Sequence, residues 1–199
     1  MLRLLRTAFA LVLLAVPANA AGIDDGLYAP PPPADAAFVR YLGDDAIALG
    51  GVKLEGQKYQ LVKQGAYTLS RHNEVAGLQV DAGKRYTLSA YTGLHLLQDP
   101  QLENRSRSML VLYNFTDKPA LDLVTADGKL SIINGVGANM NGSRVVQPLQ
   151  VDLAIAANGS QIAKIEPIAL ERGGSYSLIA TGSGDAIALQ LLKPEPGSN

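Results

Sequence analysis

Residues 108–117 read Ser-Met-Leu-Val-Leu-Tyr-Asn-Phe-Thr-Asp, and this stretch decides the fold class. It is a near-continuous apolar run of strand length, rich in β-branched and aromatic residues, and it ends in residues typical of turns. An earlier stretch, 37–45, reads Ala-Phe-Val-Arg-Tyr-Leu-Gly-Asp-Asp. Superposing Val39 on Val111 aligns a tyrosine two residues later in both stretches. This similarity predicts that the second stretch begins a second copy of one structural unit.

The rest of the chain continues the pattern of short strands. Apolar and polar residues alternate through most of 36–97, and Gly, Asp and Asn separate the alternating runs. Such spacing is typical of a β-sandwich or barrel, and the mature chain shows no apolar stripe of helical period and length. The Asn-Gly pair at 158–159 predicts a hairpin. We therefore predict an all-β fold made of tandem β-sandwich domains, carbohydrate-binding-module-like and joined by a short linker.

A second internal match supports the duplication. The run 172–182 is similar to 82–93, with Tyr176 on Tyr86. The two matches lie at different offsets along the chain, so the second copy is expected to carry an insertion. We place this insertion near 135–146, where Gly and Asn are dense.

The N-terminus has the features of a cleavable export signal. Arg3 and Arg6 give a basic start, 7–16 is apolar, and Ala18-Asn19-Ala20 is a small-x-small cleavage site. The apolar core is too short for a spanning helix, which needs about 20 residues. We therefore predict cleavage after Ala20 and a periplasmic location. The chain has no cysteine, so neither lipidation at the cleavage site nor a disulfide is expected.

The predicted organisation has six segments. They are a signal peptide at 1–20, a proline-rich entry segment at 21–35, a first β-sandwich at 36–99, a linker at 100–107, a second β-sandwich at 108–193 and a tail at 194–199. The four consecutive prolines of the entry segment favour a stiff spacer. A docking peptide for an aromatic groove on a partner is the alternative interpretation.

Charge and residue types disfavour several classes of function. The chain carries 17 Lys and Arg against 18 Asp and Glu, without a basic run, so nucleic-acid binding is not expected. His72 and His95 are the only histidines and lack the spacing of metal ligands. No Gly-x-Ser-x-Gly turn is present, and Ala46 stands where a Gly-Asp-Ser block would have its serine. We predict no catalytic residue, no metal and no cofactor.

Glycan binding is the site hypothesis that the residues leave open. Sandwich modules hold sugars on exposed aromatic faces flanked by polar groups. Alternation places Tyr91 on the face opposite Tyr86, and Arg71, Lys84 and Arg85 lie in nearby loops. These four residues, Tyr91 with the three cations, are the candidate site for an acidic sugar. A purely structural role is the alternative for each of them.

The runs 25–40 and 110–117, which include Pro30-Pro31-Pro32-Pro33 and Leu112-Tyr113-Asn114-Phe115, resemble the AlgF family of alginate biosynthesis proteins. The resemblance implies a periplasmic protein required for O-acetylation of the mannuronate residues of alginate. It also implies two kinds of partner, a membrane-bound O-acyltransferase and periplasmic SGNH-type acetyltransferases. It supplies no catalytic residue.

Three hypotheses follow from the residues together with this resemblance. The leading one is a non-catalytic adaptor that helps pass acetyl groups from the membrane acyltransferase to the acetyltransferases. The second is a carbohydrate-binding module that holds the alginate chain. The third is an intermediate that carries an acetyl group on a serine or on His72.

Overall fold

All regular elements in the described part of the chain are β-strands, which confirms the prediction of an all-β fold. The computed structural model describes residues 31–193. The predicted signal peptide, the entry segment up to residue 30 and the tail lie outside the described residues. No helix within 31–193 has the length and apolar character needed to cross a membrane.

The first eight strands form repeat 1, which comprises residues 36–98. Four of them make a sheet in the order β4-β1-β7-β8, and β2–β3 and β5–β6 are two separate hairpins. The strands are β1 (Ala36–Leu42), β2 (Ile47–Leu49), β3 (Val52–Leu54), β4 (Gln60–Lys63), β5 (Gly65–Arg71), β6 (Glu74–Val80), β7 (Arg85–Ser89) and β8 (His95–Gln98).

The other ten strands form repeat 2, which comprises residues 108–192. It contains two four-stranded sheets, β12-β9-β17-β18 and β11-β10-β14-β15, and a short pair β13–β16. The strands are β9 (Ser108–Thr116), β10 (Ala120–Thr125), β11 (Ser131–Gly137), β12 (Met140–Val146), β13 (Gln150–Val151), β14 (Leu153–Ala157), β15 (Ser160–Lys164), β16 (Ile168–Ala169), β17 (Ser175–Ser183) and β18 (Ala186–Leu192).

The two repeats share one topology, as the internal sequence matches predict. In each repeat the first strand pairs in parallel with the penultimate strand, β1 with β7 and β9 with β17. The same backbone hydrogen bond begins both pairs: the N–H of Phe38 donates to the oxygen of Lys84 (2.9 Å), and the N–H of Met109 donates to the oxygen of Gly174 (2.9 Å). These contacts make Phe38 and Met109 structurally equivalent.

The alignment of Val39 with Val111 is wrong by one residue. Val39 pairs with Tyr86 across the parallel strands, and Leu110 pairs with Tyr176. Because successive residues of a strand point to opposite faces, a shift of one residue exchanges the two faces. Val39 is therefore equivalent to Leu110, and both lie in the core of their own repeat.

The predicted insertion near 135–146 is not a loop. Residues 131–137 and 140–146 form the consecutive strands β11 and β12, which belong to different sheets, and β12 pairs with β9 along seven residues. A Cβ atom at Gly142 would approach Val136 Cγ2 to 2.8 Å and Ile133 Cγ2 to 3.0 Å. The glycine therefore allows β12 to pass close to β11, so its presence marks close strand packing rather than a turn.

All nine residues of β9 are buried, because both faces of the strand are covered. Leu110 and Leu112 face the core of repeat 2. Met109, Val111 and their alternating neighbours belong to a cluster between the repeats, which we call the inter-repeat cluster; its members are Leu42, Met109, Val111, Tyr113, Phe115 and Ile179. Burial on two faces explains the near-continuous apolar sequence of this strand.

The repeats pack through equivalent faces of their parallel-paired sheets. The side chain of Asn141 at the β12 edge donates to the oxygen of Gln98 in β8 (3.0 Å), and Gln190 in β18 donates to Gln57 just before β4 (3.1 Å). The β12 edge of repeat 2 thus meets the β8 edge of repeat 1, and the β18 edge of repeat 2 meets the β4 edge of repeat 1. This arrangement is the reciprocal contact of a two-fold dimer. Residues 32–193 belong to one compact unit.

The segment 100–107 connects the repeats without forming a strand. Leu102 from this segment packs against the inter-repeat cluster. Asp99, immediately before the segment, has 4% of its surface exposed. The connection is therefore fixed to the interface at two points.

Candidate binding site between the two repeats

A buried carboxylate lies where the two repeats meet. Asp99 accepts hydrogen bonds from three hydroxyl groups: Tyr59 donates to Oδ2 (2.7 Å), Tyr113 to Oδ1 (2.6 Å) and Thr87 to Oδ2 (2.7 Å). Its backbone N–H donates to the oxygen of Arg85 (2.8 Å) and fixes the residue against β7. Tyr113 comes from repeat 2, so the carboxylate joins the two repeats.

Arg40 places a cation beside this carboxylate, with 4% of its surface exposed. Its Nε donates to the hydroxyl of Thr87 (2.8 Å), and its Nη2 donates to the hydroxyl of Ser177 in repeat 2 (3.0 Å). Thr87 thus accepts a hydrogen bond from Arg40 and donates one to Asp99, so its hydroxyl links the two charged groups. We call Arg40, Tyr59, Thr87, Asp99, Tyr113 and Ser177 the Asp99 network.

Two aromatic rings flank the buried guanidinium. The Cζ atom of Arg40 lies 4.9 Å from the ring centroid of Tyr59 and 5.2 Å from that of Tyr113. Burial works against the charged form of Arg40, yet Tyr113, Tyr59 and Asp99 raise its pKa above the ordinary value. Arg40 therefore stays charged, and rings at this distance are favourable neighbours for a cation.

Both tyrosines of the network stay protonated over the physiological range. Burial raises the pKa of Tyr59 and of Tyr113 above the ordinary value, and the negative charge of Asp99 raises it further. Each hydroxyl therefore remains a hydrogen-bond donor to the carboxylate.

A small cleft opens beside the Asp99 network, and we call it the inter-repeat cleft. Its volume is about 50 Å³, and residues of both repeats line it. Arg85 and Lys193 add two cations to its wall, and Gln57 and Ser175 add polar groups. The Arg85 guanidinium lies over the rings of Phe38 (5.5 Å) and Tyr59 (5.4 Å), so aromatic contacts hold its plane in position.

The structure does not bring the four predicted sugar-binding residues together. Arg85 begins β7 and Lys84 is exposed in the turn before it. Arg71 ends β5, and Tyr91 follows the other end of β7. The Tyr91 ring is half-buried and packs against Phe115 with the centroids 6.0 Å apart. Lys84 and Arg85 thus lie at one end of β7 and Tyr91 beyond the other end, while Arg71 belongs to the separate β5–β6 hairpin.

Arg71 is engaged in a local polar group of repeat 1. Its Nε lies 3.1 Å from Oδ2 of Asp45, and the Tyr41 hydroxyl donates to Oδ1 of the same carboxylate (2.5 Å). The hydrogen bonds from Tyr41 and then Arg71 lower the pKa of Asp45 below its usual range. Burial raises the pKa of Tyr41 to about 12, and its bond to Asp45 adds to the shift.

Sequence reasoning missed Arg40 and Asp99, which form the centre of the site. An arginine in the apolar run of the first strand gives one available signal, because an unpaired charge is rarely buried in a strand. Asp99, at the end of β8, gives no such sequence signal, since it resembles an ordinary loop carboxylate. Only the packing of the repeats shows that these two side chains meet.

Neither His72 nor His95 belongs to the Asp99 network. His72 lies in the two-residue turn between β5 and β6, where its backbone has a positive φ of 53°. His95 Nε2 lies 3.3 Å from the oxygen of Thr92. Among the described residues, no group of three or more His, Asp or Glu side chains has the arrangement of a metal site.

A groove in repeat 1 is a second feature that is absent from its counterpart. It separates β6 from β8 and has a volume of about 410 Å³. Within the described range, β6 pairs only with β5 and β8 only with β7. In repeat 2 the equivalent strands, β15 and β18, pack against each other. Repeat 1 thus leaves open the side of the sandwich that repeat 2 closes.

Comparisons with known proteins agree on one family. Residues 10–177 match the family model described as "Alginate O-acetyl transferase AlgF". The "Alginate biosynthesis protein AlgF" of Pseudomonas syringae pv. tomato is 30% identical, over 94% of this chain and 88% of the relative. Its namesake from Pseudomonas aeruginosa is 30% identical, over 88% of this chain and 87% of the relative.

The similar solved structures include that of the C-terminal domain of AlgF from P. aeruginosa. It is 31% identical, with a TM-score of 0.41, and the match covers 44% of this chain and 98% of that one.

Proposed function

The chain belongs to the AlgF family and takes part in alginate acetylation, and from this premise we propose that it is a non-catalytic periplasmic adaptor. In this role it helps pass acetyl groups from a membrane-bound O-acyltransferase to periplasmic SGNH-type acetyltransferases that act on mannuronate residues. The predicted export signal supports the periplasmic location.

The observation that carries the adaptor role is the open groove between β6 and β8. The outer edges of both strands lie along it, and its floor contains the half-buried side chains of Leu94, Leu96 and Ala76. Edges of this kind accept an added strand from a partner, with backbone hydrogen bonds for affinity and apolar pockets for specificity. The groove therefore suits a protein partner in extended conformation.

The rigid junction of the repeats also supports this role. An adaptor must hold two partners in a fixed relation, and the inter-repeat cluster together with the Asp99 network joins the repeats at many points. A partner bound to repeat 1 and another bound to repeat 2 would therefore keep a defined separation.

The alternative is a carbohydrate-binding module that holds alginate. It needs an exposed aromatic platform with cations beside it. The half-buried ring of Tyr91 and the separation of Arg71 from Arg85 give such a platform little support. We therefore place this alternative second.

The test measures binding of the purified mature protein to the periplasmic acetyltransferases by isothermal titration calorimetry. Ala76→Arg brings a charge into the groove and is expected to weaken binding at least about tenfold. Val75→Arg is the matched control, because Val75 lies on the same edge strand but is 70% exposed. Thermal unfolding of both variants checks that the fold is retained.

Two results would contradict the adaptor proposal. One is equal binding by wild type and the Ala76→Arg variant. The other is transfer of acetyl from a donor to alginate by the purified protein alone, which would make the protein an enzyme.

A further inference from the structure

The charges that line the inter-repeat cleft do not balance. Three cations, Arg40, Arg85 and Lys193, stand against a single carboxylate, Asp99. Within the described residues, none of the ion pairs with an N–O distance of 4.0 Å or less includes any of these cations. Arg40 is buried and Arg85 half-buried, and such charges are normally paired, whereas Lys193 is exposed. The cleft therefore has a place for a further negative charge.

Asp99 itself cannot fill that place. Its two oxygens already accept from the hydroxyls of Tyr59, Thr87 and Tyr113, and it faces Arg40 through Thr87. Arg85 and Lys193 are left on the outer wall of the cleft. A second anion there would face two cations, Arg85 and Lys193.

The donors on the cleft wall suit a planar anion. Arg85 offers a flat guanidinium whose orientation is set by the rings of Phe38 and Tyr59. Such a group binds a carboxylate through two parallel N–H bonds. The amide of Gln57 and the hydroxyl of Ser175 also line the cleft and supply further hydrogen-bond donors.

The size of the cleft limits the ligand. A volume of about 50 Å³ has room for roughly four water-sized groups. This is enough for an acetate ion, or for the carboxylate of a uronic acid whose ring stays outside. It is too small for a whole sugar ring or a nucleotide.

We propose that the inter-repeat cleft is a binding site for a small carboxylate, which Arg85 and Lys193 hold beside the Asp99 network. The site goes beyond the adaptor role, because it needs no partner protein. Its ligand is bound by both repeats, with Arg85 in repeat 1 and with Ser175 and Lys193 at the same end of the antiparallel β17–β18 pair. Occupancy therefore stabilises the junction of the repeats.

The test compares thermal unfolding of the mature protein in sodium acetate and in sodium chloride at equal ionic strength and pH 7. A ligand that binds only the folded state raises the melting temperature in a concentration-dependent way. We expect acetate to raise it by about 2–4 °C at concentrations well above its dissociation constant, with no matching rise in chloride. Amide chemical shifts of Ser175 and Gln57 are expected to follow the same titration.

Arg85→Gln and Lys84→Gln form a matched pair of variants. Both remove one positive charge from neighbouring residues, but only Arg85 lines the cleft. We expect Arg85→Gln to weaken acetate binding at least about tenfold, and Lys84→Gln to leave it within about twofold. The chemical shifts give an affinity for each variant even where its stability differs from wild type.

Mannuronic acid monosaccharide, titrated in parallel, identifies the source of the carboxylate. Tighter binding of the sugar than of acetate assigns the site to a uronate, and the reverse assigns it to the free ion. Equal stabilisation by acetate and chloride, or an unchanged affinity in Arg85→Gln, would overturn the proposal. Neither result would bear on partner binding at the groove.

Discussion

The two repeats share one topology but differ in how completely they enclose their cores. Repeat 2 packs one four-stranded sheet against another, whereas repeat 1 covers its single four-stranded sheet with two separate hairpins. Consequently β15 and β18 meet in repeat 2, and a groove remains between β6 and β8 in repeat 1. The comparison indicates that repeat 2 contributes most of the stability and that repeat 1 keeps an accessible surface for binding.

The contact between the repeats shows a second difference within the same symmetry. Arg40 of repeat 1 occupies the position that Val111 occupies in repeat 2, as the strand registers show. One side of a symmetric contact is therefore polar and the other apolar. The buried cation of the Asp99 network therefore comes from repeat 1 alone, although Tyr113 and Ser177 of repeat 2 also belong to the network.

The largest expected effect comes from breaking that polar side. Asp99→Ala removes the carboxylate and leaves Arg40 buried without its charge partner, which is expected to cost about 3–5 kcal/mol of unfolding free energy. Urea unfolding of the mature protein measures the loss.

A double variant provides the control for this prediction. Arg40→Met with Asp99→Leu makes the contact apolar on both sides, and we expect it to be less destabilised than Asp99→Ala alone. A double variant that loses as much as the sum of the two single variants would show that the network is not a coupled unit.

Leucines at equivalent positions test the difference between the two cores. Leu88 in repeat 1 and Leu178 in repeat 2 both have no exposed surface. Leu178→Ala is expected to cost about 4 kcal/mol and Leu88→Ala about 3 kcal/mol, because a core beside an open groove relaxes further into the cavity. Equilibrium denaturation compares them directly, and a larger loss for Leu88→Ala would reverse our assignment of the more tightly packed repeat.

A smaller effect is expected at the equivalent tyrosines. The Tyr176 hydroxyl accepts from the N–H of Glu171 (2.8 Å) and donates to the oxygen of Ala169 (3.1 Å), whereas the Tyr86 hydroxyl contacts only Asp81, at 3.2 and 3.4 Å. Tyr176→Phe should therefore cost about 1–2 kcal/mol and Tyr86→Phe about 0.5–1 kcal/mol. Differential scanning calorimetry measures the loss of stability in both variants. Equal losses would contradict this difference between the two tyrosines.

The smallest effect concerns a polar group found only in repeat 1. Asp45 has a lowered pKa because Tyr41 and Arg71 bind its charged form. Such a carboxyl stabilises the fold above its unfolded pKa of about 3.9, and the stabilisation disappears as the pH falls through the lower folded value. Asp45→Asn should thus be less stable than wild type at pH 7, and the difference should shrink as the pH is lowered from 7 to about 2.

Unfolding midpoints of wild type and Asp45→Asn in urea, measured from pH 7 down to about pH 2, would show whether the stability difference shrinks. Asp44→Asn removes the neighbouring exposed carboxylate and controls for the change in net charge. A difference between Asp45→Asn and wild type that stays constant with pH would rule out the charged group as its source.

Local sequence patterns were sufficient for the fold class and for several turns. The alternating runs predict strands, and the Asn-Gly pair predicts the β14–β15 hairpin, where Asn158 and Gly159 have φ values of 51° and 77° as a two-residue turn requires. These features depend on neighbouring residues alone.

The site could not be predicted in the same way, because it depends on which face of each sheet meets the other repeat. A one-residue error in register assigned Tyr41 and Tyr113 to the same environment, although Tyr41 lies in the core of repeat 1 and Tyr113 in the inter-repeat cluster. Arg40 and Asp99 are far apart in sequence and meet only after that packing is formed. Arg85 was predicted as part of the candidate sugar site, but the residues that line the inter-repeat cleft with it were not predicted.

The parallel pairing of first and penultimate strands has a consequence for how the chain folds. The central pair of each repeat, β1–β7 or β9–β17, cannot form until nearly all of that repeat is available. Closing so long a loop is an entropic barrier, and topologies dominated by distant contacts fold slowly. Because β1 and β9 are similar, each also offers a competing template for the other's partner strand, so the two halves of the chain risk exchanging strands before they reach their own.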